Sequence, residues 1–94
     1  LPHGQAVAIG LAYATAYSRM PERNRVLALL REFDLPTTLA KSYPPDQIVK
    51  AMLADKKHHG KMITLVLPER LGQIHIERSV TGRQMTAFLD RYQP

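Results

Sequence analysis

The run from Gly4 to Ser18 constrains the fold more than any other part of this chain, because it contains no charged residue and no histidine. A helix drawn over residues 5–19 carries apolar or small side chains on every side, so it lacks a polar face for solvent. Such a helix is predicted to be packed on most of its sides. The run is too short and too polar to cross a bilayer, and no basic segment precedes it as in a signal peptide.

The composition fits one domain with a modest core, since 45% of the 94 residues are hydrophobic. The chain has no Cys, which excludes a disulfide scaffold and agrees with a cytoplasmic location. Its net charge of +5 suits an anionic partner, but the basic residues are scattered among acidic ones, which disfavours nucleic acid. Because the chain opens on Leu1 and not on Met, we expect it to be a fragment of a longer protein.

Two further helices are predicted in the first two thirds of the chain. Pro21 is expected to open the second helix at its first position, and Leu35-Pro36 to end it. Its predicted apolar stripe consists of Val26, Leu29, Leu30 and Phe33. After a loop over residues 37–45, Asp46 is predicted to cap a third helix over residues 47–57. The apolar stripe of this third helix consists of Ile48, Val49, Met52 and Leu53.

The last third of the chain predicts a hairpin and a final helix. Residues 62–67 and 72–77 alternate in the manner of two strands, joined through residues 68–71. Thr81 to Gln84 matches a capping box for a last helix. Its predicted inward side chains are Met85, Phe88 and Leu89. Residues 1–94 are therefore predicted to form a single, mainly α domain with one small β-hairpin.

Two adjacent lysines stand out at the end of the third predicted helix. At about 100° per residue, Lys56 falls in the middle of the apolar stripe and Lys57 at its edge. A buried ammonium without a partner costs several kcal/mol, on the order of the desolvation of one ion, so it needs an acid or an anionic ligand. The alternative is a lysine whose head reaches water beyond the stripe, and helical periodicity alone favours that alternative.

His3 stands immediately before or at the first turn of the apolar helix. An imidazole there can supply a metal ligand, or can meet a phosphate near the exposed N–H groups. A catalytic zinc site needs about three protein ligands, so His3 alone cannot form one. His58 and His59 are neighbours whose side chains should diverge, and His75 is predicted at an outward strand position. Taken alone, His3 is better explained as a helix-capping residue.

Four segments together resemble the 3-dehydroquinate synthase family. Residues 2–10, Pro-His-Gly-Gln-Ala-Val-Ala-Ile-Gly, are similar to its His-Gly-Glu-Ala-Val-Ala-Ile-Gly segment. Residues 35–39, Leu-Pro-Thr-Thr-Leu, resemble its Gly-Leu-Pro-Thr loop. Residues 52–57, Met-Leu-Ala-Asp-Lys-Lys, with the hairpin after them, resemble its Asp-Lys-Lys segment and hairpin, and residues 71–73 its Ile-Gly turn. The segments follow the order of the family over nearly the whole chain, and the Asp-Lys-Lys segment with its hairpin is the specific one.

The resemblance implies the helical C-terminal domain of a two-domain lyase, whose N-terminal domain binds NAD and lies outside this chain. The family converts 3-deoxy-D-arabino-heptulosonate 7-phosphate into 3-dehydroquinate and phosphate, in the shikimate pathway of aromatic amino acid biosynthesis. Its cofactors are NAD and a divalent metal, zinc or cobalt, which polarises substrate oxygens. A homodimer is implied for the intact enzyme, which contacts neither membrane nor nucleic acid, and the fragment alone is expected to be inactive.

The resemblance also implies roles for particular residues. His3 matches a metal ligand, and Lys56 matches a substrate-binding lysine, with Lys57 as the alternative. No catalytic residue is assigned in this chain, and the residues that contact NAD are unknown. Gln5 stands where the family has Glu, and Asp34 where it has Gly before Leu-Pro. Two alternatives stay open: another sugar-phosphate cyclase of the same superfamily, and a small basic helical module that binds nucleic acid or a protein.

Overall fold

The computed structural model describes residues 3–39, 43–54 and 62–93. Its elements, in chain order, are α1 His3–Tyr17, α2 Arg23–Glu32, α3 Pro45–Ala54, β1 Met62–Arg70, β2 Gln73–Thr81 and α4 Gly82–Arg91. The strands form one antiparallel two-stranded sheet. The prediction of a mainly α fold with one β-hairpin is therefore confirmed.

Helix α1 begins two residues earlier than predicted, and its first part, residues 3–11, packs on one side only. Ala8, Ile9 and Ala12 are buried, whereas Val7 and Leu11 are 46% and 44% exposed. The prediction of burial on most sides is therefore wrong for residues 3–11, whereas none of residues 12–17 is exposed, as predicted. The physical reason is that α1 packs against α2 and β1, and these two neighbours leave an apolar face of α1 open to solvent.

Helix α2 is rotated relative to the predicted stripe. Leu27 and Leu30 are its buried residues, whereas Leu29 and Phe33 are 56% and 69% exposed. Leu27 and Leu30 pack against α1 in one core cluster, and this contact fixes the phase of the helix. The predicted places of Leu29 and Phe33 in the core are therefore wrong.

The start of α2 also differs slightly from the prediction, and its end agrees with it. The helix begins at Arg23, after a turn that contains Pro21. It ends at Glu32, and the chain then turns through Asp34, whose φ is 55°. The N–H of Leu35 donates to the carbonyl of Leu30 over 2.9 Å, which closes the helix as in a Schellman motif before Pro36.

Helix α3 begins at Pro45, so Asp46 lies in its first turn and is not the residue that caps it. Proline suits a first helical position, since its missing N–H would have had no helical partner there. A carboxylate in the first turn still interacts favourably with the positive end of the helix. The predicted stripe is confirmed, with Val49 buried and Ile48, Met52 and Leu53 half-buried. The predicted extension over residues 55–57 lies outside the described residues.

The hairpin is confirmed, and both of its strands are longer than predicted. The strands pair up to Arg70 and Gln73, so the turn consists of Leu71 and Gly72, not of residues 68–71. Gly72 has a φ of 83°, a value that glycine adopts without steric cost.

One face of the hairpin is buried at its base and the other face is exposed. Ile63 and Val80, which are paired, are 0% and 2% exposed. Ile74 and Ile76 are 68% and 44% exposed on the opposite face. The register places His75 opposite Leu67, on the face that carries the buried Ile63 and Leu67, so its predicted outward strand position is wrong.

Helix α4 begins with the predicted capping box. The Thr81 hydroxyl oxygen accepts the N–H of Gln84 over 3.1 Å, and the Gln84 side-chain oxygen accepts the N–H of Thr81 over 2.8 Å. Met85 is buried, and Phe88 and Leu89 are half-buried, as predicted. With Val49, Ile63 and Val80, Met85 forms a second core cluster between α3, the hairpin and α4.

Among the described helices, none is long and apolar enough to cross a membrane.

Candidate functional site

His3 is the first residue of α1, and it is exposed. Residues four apart on a helix lie on the same face, so His3, Val7 and Leu11 share one side of α1. All three are exposed, and that side makes up the apolar face that the fold leaves bare. The first turn of α1 therefore presents the imidazole away from the core of this domain, at the edge of a surface suited to a second protein body.

The structure brings no further metal ligand to His3 within the described residues, where no group of three or more His, Asp or Glu side chains could hold a metal ion. His75 lies on the hairpin between two carboxylates, and His58 and His59 are outside the described residues. One exposed imidazole fits the role of a single ligand in a site completed by other parts of the protein. It does not fit a metal site contained within the described residues.

Lys56 and Lys57 lie outside the described residues, so their predicted roles stay predictions. The structure does describe the helix that leads to them. Helix α3 packs its stripe against the hairpin and α4, with Val49 only 6% exposed. The side chains of residues 48–53 that were predicted to point inward are thus the ones observed to do so.

Residues 35–39 resemble the family's Leu-Pro-Thr loop. They are hydrogen-bonded to α1 and to the residue that follows α4. The Tyr92 hydroxyl donates to the carbonyl oxygen of Thr37, a residue that is 9% exposed. The N–H of Leu39 donates to the Tyr13 hydroxyl oxygen over 3.0 Å. The rings of Tyr13 and Tyr92 stack with centroids 3.9 Å apart. The helix that begins at His3 and this loop are therefore held in one fixed arrangement.

Sequence reasoning did not identify the two tyrosines of this arrangement. Tyr13 was one of many apolar residues in α1, and Tyr92 follows the last residue of α4, where no periodic pattern applies. The signal that could have found them is compositional. Four tyrosines and two phenylalanines are the only aromatic residues of the chain, and such residues tend to pack together.

The hairpin carries a charged cluster around Glu77. The Ser79 hydroxyl donates to the Glu77 carboxylate over 2.7 Å, and Nε2 of His75 lies 3.5 Å from it. On its other side, Nδ1 of His75 lies 3.8 Å from a Glu69 oxygen. The hydrogen bonds from Ser79, and then the one from His75, lower the pKa of Glu77. His75 is exposed although it lies on the inner face of the hairpin, because it is far along the hairpin from the buried base.

Comparison with known proteins agrees with these features. The family model described as 3-dehydroquinate synthase C-terminal matches residues 1–58. The 3-dehydroquinate synthase of Shewanella piezotolerans is 36% identical over 94 residues, which cover 94% of this chain and 26% of that relative. The enzyme of Rhizobium meliloti is 35% identical, covering 100% of this chain and 28% of the relative. The enzyme of Pyrococcus abyssi is 38% identical over 80 residues, covering 82% and 24%.

This chain thus spans about a quarter of the length of the curated relatives that it matches. The segments that carry His3 and the Leu-Pro-Thr loop lie within the matched range 1–58, and so does the Asp-Lys-Lys segment. The fold, the exposed histidine and these matches lead to one assignment: the chain belongs to the 3-dehydroquinate synthase family and corresponds to the C-terminal part of its members.

Proposed function

We propose that this chain is the C-terminal domain of a 3-dehydroquinate synthase that closes a seven-carbon sugar-acid phosphate to 3-dehydroquinate with loss of phosphate. The observation that carries the proposal is the exposed His3 at the start of α1, in a chain that belongs to this family. The intact enzyme uses NAD and a divalent metal, zinc or cobalt, and acts in the cytoplasm as a homodimer.

Helix α1 has two tasks in this proposal. Its bare face, with Val7 and Leu11, packs against the remaining part of the protein, which brings NAD and the other metal ligands. Its first turn holds the imidazole of His3 so that a neutral ring nitrogen can face the metal. The metal, when bound, polarises substrate oxygens as a Lewis acid. The loop over residues 35–39, fastened through Tyr13, keeps α1 in place while His3 does this.

We propose further that Lys56 binds an anionic group of the substrate, with Lys57 nearer to solvent. The support is the helical phase of α3, whose apolar stripe continues in sequence to Lys56. A charge-assisted contact contributes roughly 1.5–3 kcal/mol, so Lys56→Ala is expected to lower kcat/KM by about ten- to a hundredfold. Lys57→Ala is the matched control and should have a smaller effect, since a surface contact contributes little. Steady-state kinetics that show Lys57 to be essential and Lys56 dispensable would contradict this phase.

Metal content and turnover of the full-length enzyme test the role of His3. His3→Ala is expected to lose bound metal and activity together, and to keep its circular dichroism spectrum because His3 is exposed and outside the core. His75→Ala is the matched control, since His75 is also exposed but lies on the hairpin. It should keep its metal as measured by elemental analysis. Wild-type metal content in purified His3→Ala would show that His3 is not a ligand.

A further inference from the structure

Three arginines converge at the C-terminal end of α1. Arg19 follows α1, Arg23 begins α2, and Arg91 is the last residue of α4. Arg19 and Arg91 line a surface depression of about 410 Å³, and Arg23 and Arg91 line an adjoining one of about 270 Å³. Both depressions include Ala16 and Phe88. We call this surface, formed by the three arginines over Ala16 and Phe88, the arginine groove.

The positive charge of the arginine groove is not balanced within the part of the chain that the structure describes. No carboxylate of the described residues lines either depression, and their one arginine–carboxylate ion pair joins Arg70 to Glu22, outside the groove. Arg23 donates to the main-chain carbonyl of Gln93, while its Nε is buried without a hydrogen-bond acceptor among the described residues. Arginines that line the same or adjoining depressions are like charges that repel, and a bound anion would offset that repulsion.

The backbone of Arg19 provides an independent observation. Its φ is 54°, in the left-handed region, and its N–H donates to the carbonyl of Ala16 over 3.2 Å. The next N–H, that of Met20, donates to Thr15 over 3.0 Å, which completes a Schellman motif at the end of α1. Glycine is the usual residue at this position, because any other residue there loses free energy to steric strain. Backbone geometry therefore disfavours arginine here, as it does Asp34 after α2, and a role for the Arg19 side chain would offset that cost.

We propose that the arginine groove binds a small organic anion with at least two negative charges, of the phosphate or polycarboxylate class. Guanidinium groups bind such oxyanions through paired hydrogen bonds, and Gln84 adds a neutral polar group at the rim. Helix α1 has 15 residues and is about 22 Å long, so the groove lies about that far from His3. The two small depressions fit a small molecule, since single-stranded nucleic acid follows a longer basic track.

Calorimetric titration of the full-length protein with inorganic pyrophosphate, after removal of bound metal with EDTA, tests the site. The double variant Arg19→Gln/Arg91→Gln is expected to bind about tenfold more weakly or worse, since it loses two charge-assisted contacts. Arg78→Gln removes the same kind of charge from the exposed part of β2, outside the groove, and should bind as the wild type does. Unchanged affinity in the double variant would overturn the proposal.

The strain at Arg19 gives the site a second test. Arg19→Gly should raise the melting temperature of the unliganded protein, because glycine adopts this φ without strain. The same variant should lose part of the increase in melting temperature that pyrophosphate gives to the wild type, since weaker binding stabilises less. A glycine variant that keeps the full increase would contradict a role of the Arg19 side chain in binding.

Lys56→Ala separates the arginine groove from the substrate site proposed above. The pyrophosphate affinity that depends on Arg19 and Arg91 should be unchanged in this variant, whether or not the enzyme assignment holds, and its loss there would overturn the groove as the binding site. Titration with citrate in place of pyrophosphate shows whether the site prefers phosphate or carboxylate. Either preference supports the site if the binding vanishes in the double arginine variant. A DNA single strand of about 12 nucleotides that binds more tightly than pyrophosphate, and depends on the same arginines, would overturn the proposal in favour of nucleic acid.

Discussion

At the scale of single residues, the carboxylate of Glu77 has its pKa changed by hydrogen bonds from its neighbours on the hairpin. Its carboxylate accepts both the hydroxyl and the N–H of Ser79, over 2.7 and 3.2 Å. These hydrogen bonds favour the charged form and lower the pKa of Glu77, and the contact with His75 acts in the same direction. A group with a lowered pKa stabilises the fold at neutral pH, and this stabilisation is lost as the pH falls through the lowered value.

Ser79→Ala is expected to raise the pKa of Glu77 towards its ordinary value of 4.5, because it removes the hydroxyl donor, the largest cause of the lowering, and keeps the backbone N–H. Carbon-13 NMR titration of the Glu77 carboxyl group measures this directly. His75→Ala serves as the comparison and should raise the pKa less, since the hydrogen bonds of Ser79 are the larger cause. Equal pKa values in the wild type and Ser79→Ala would show that Ser79 does not hold the carboxylate in solution.

At the scale of elements, the sequence predicts best where a pattern is local. The capping box at Thr81 and Gln84 forms as predicted, because both partners lie within one turn of α4. The stripe of α3 is also correct, since it has a clear polar side. The packing of the first part of α1 and the phase of α2 were predicted wrongly, as Val7 and Leu29 show. In helices with excess apolar residues, periodicity gives the angles between side chains but does not say which of them will meet a neighbour.

The candidate site residues likewise differ in how far local sequence predicts them. His3 at the start of a helix is predictable, because a single segment defines it. The arginine groove is not, because Arg19, Arg23 and Arg91 come from three parts of the chain that only the packing of α1, α2 and α4 brings together. The left-handed backbone conformation of Arg19 is also not predictable from composition or residue spacing. A site whose residues are brought together by long-range packing can be identified only when the fold is known.

At the scale of the whole molecule, aromatic rings join two separate cores. One core lies between α1 and α2 and includes Tyr92 at its margin, and the other lies between α3, the hairpin and α4 and includes Phe88. Phe88 meets Tyr17 edge to face at 5.0 Å between ring centroids, and meets Tyr92 at 6.0 Å. Edge-to-face pairs of this kind contribute about 0.5–1.5 kcal/mol each beyond their buried area. Both cores and the loop over residues 35–39 thus depend on contacts of the Tyr92 side chain.

Tyr92→Phe keeps the ring and removes the hydroxyl that donates to Thr37. At about pH 7 the variant is expected to be less stable by about 1 kcal/mol, the usual contribution of one hydrogen bond. Urea unfolding of the 94-residue chain, followed by circular dichroism, measures this difference. Tyr43→Phe is the matched control, because it removes a hydroxyl from a residue that is 54% exposed and should change the stability little.

The stability of the wild type and that of Tyr92→Phe should also change differently at alkaline pH. Burial, and then the charge of Tyr13, raise the pKa of Tyr92 above 10.0, although Arg23 opposes the rise. A phenol with a raised pKa stabilises the fold fully below its unfolded value, and this contribution is lost as the pH rises through the folded value. The wild type should therefore lose stability above about pH 10 more steeply than Tyr92→Phe, and the difference between them should narrow. Tyr17, whose pKa is also raised by burial, is present in both proteins and cancels. A difference that stays constant across this range would show that the Tyr92 phenol ionises as readily in the folded chain as in the unfolded one.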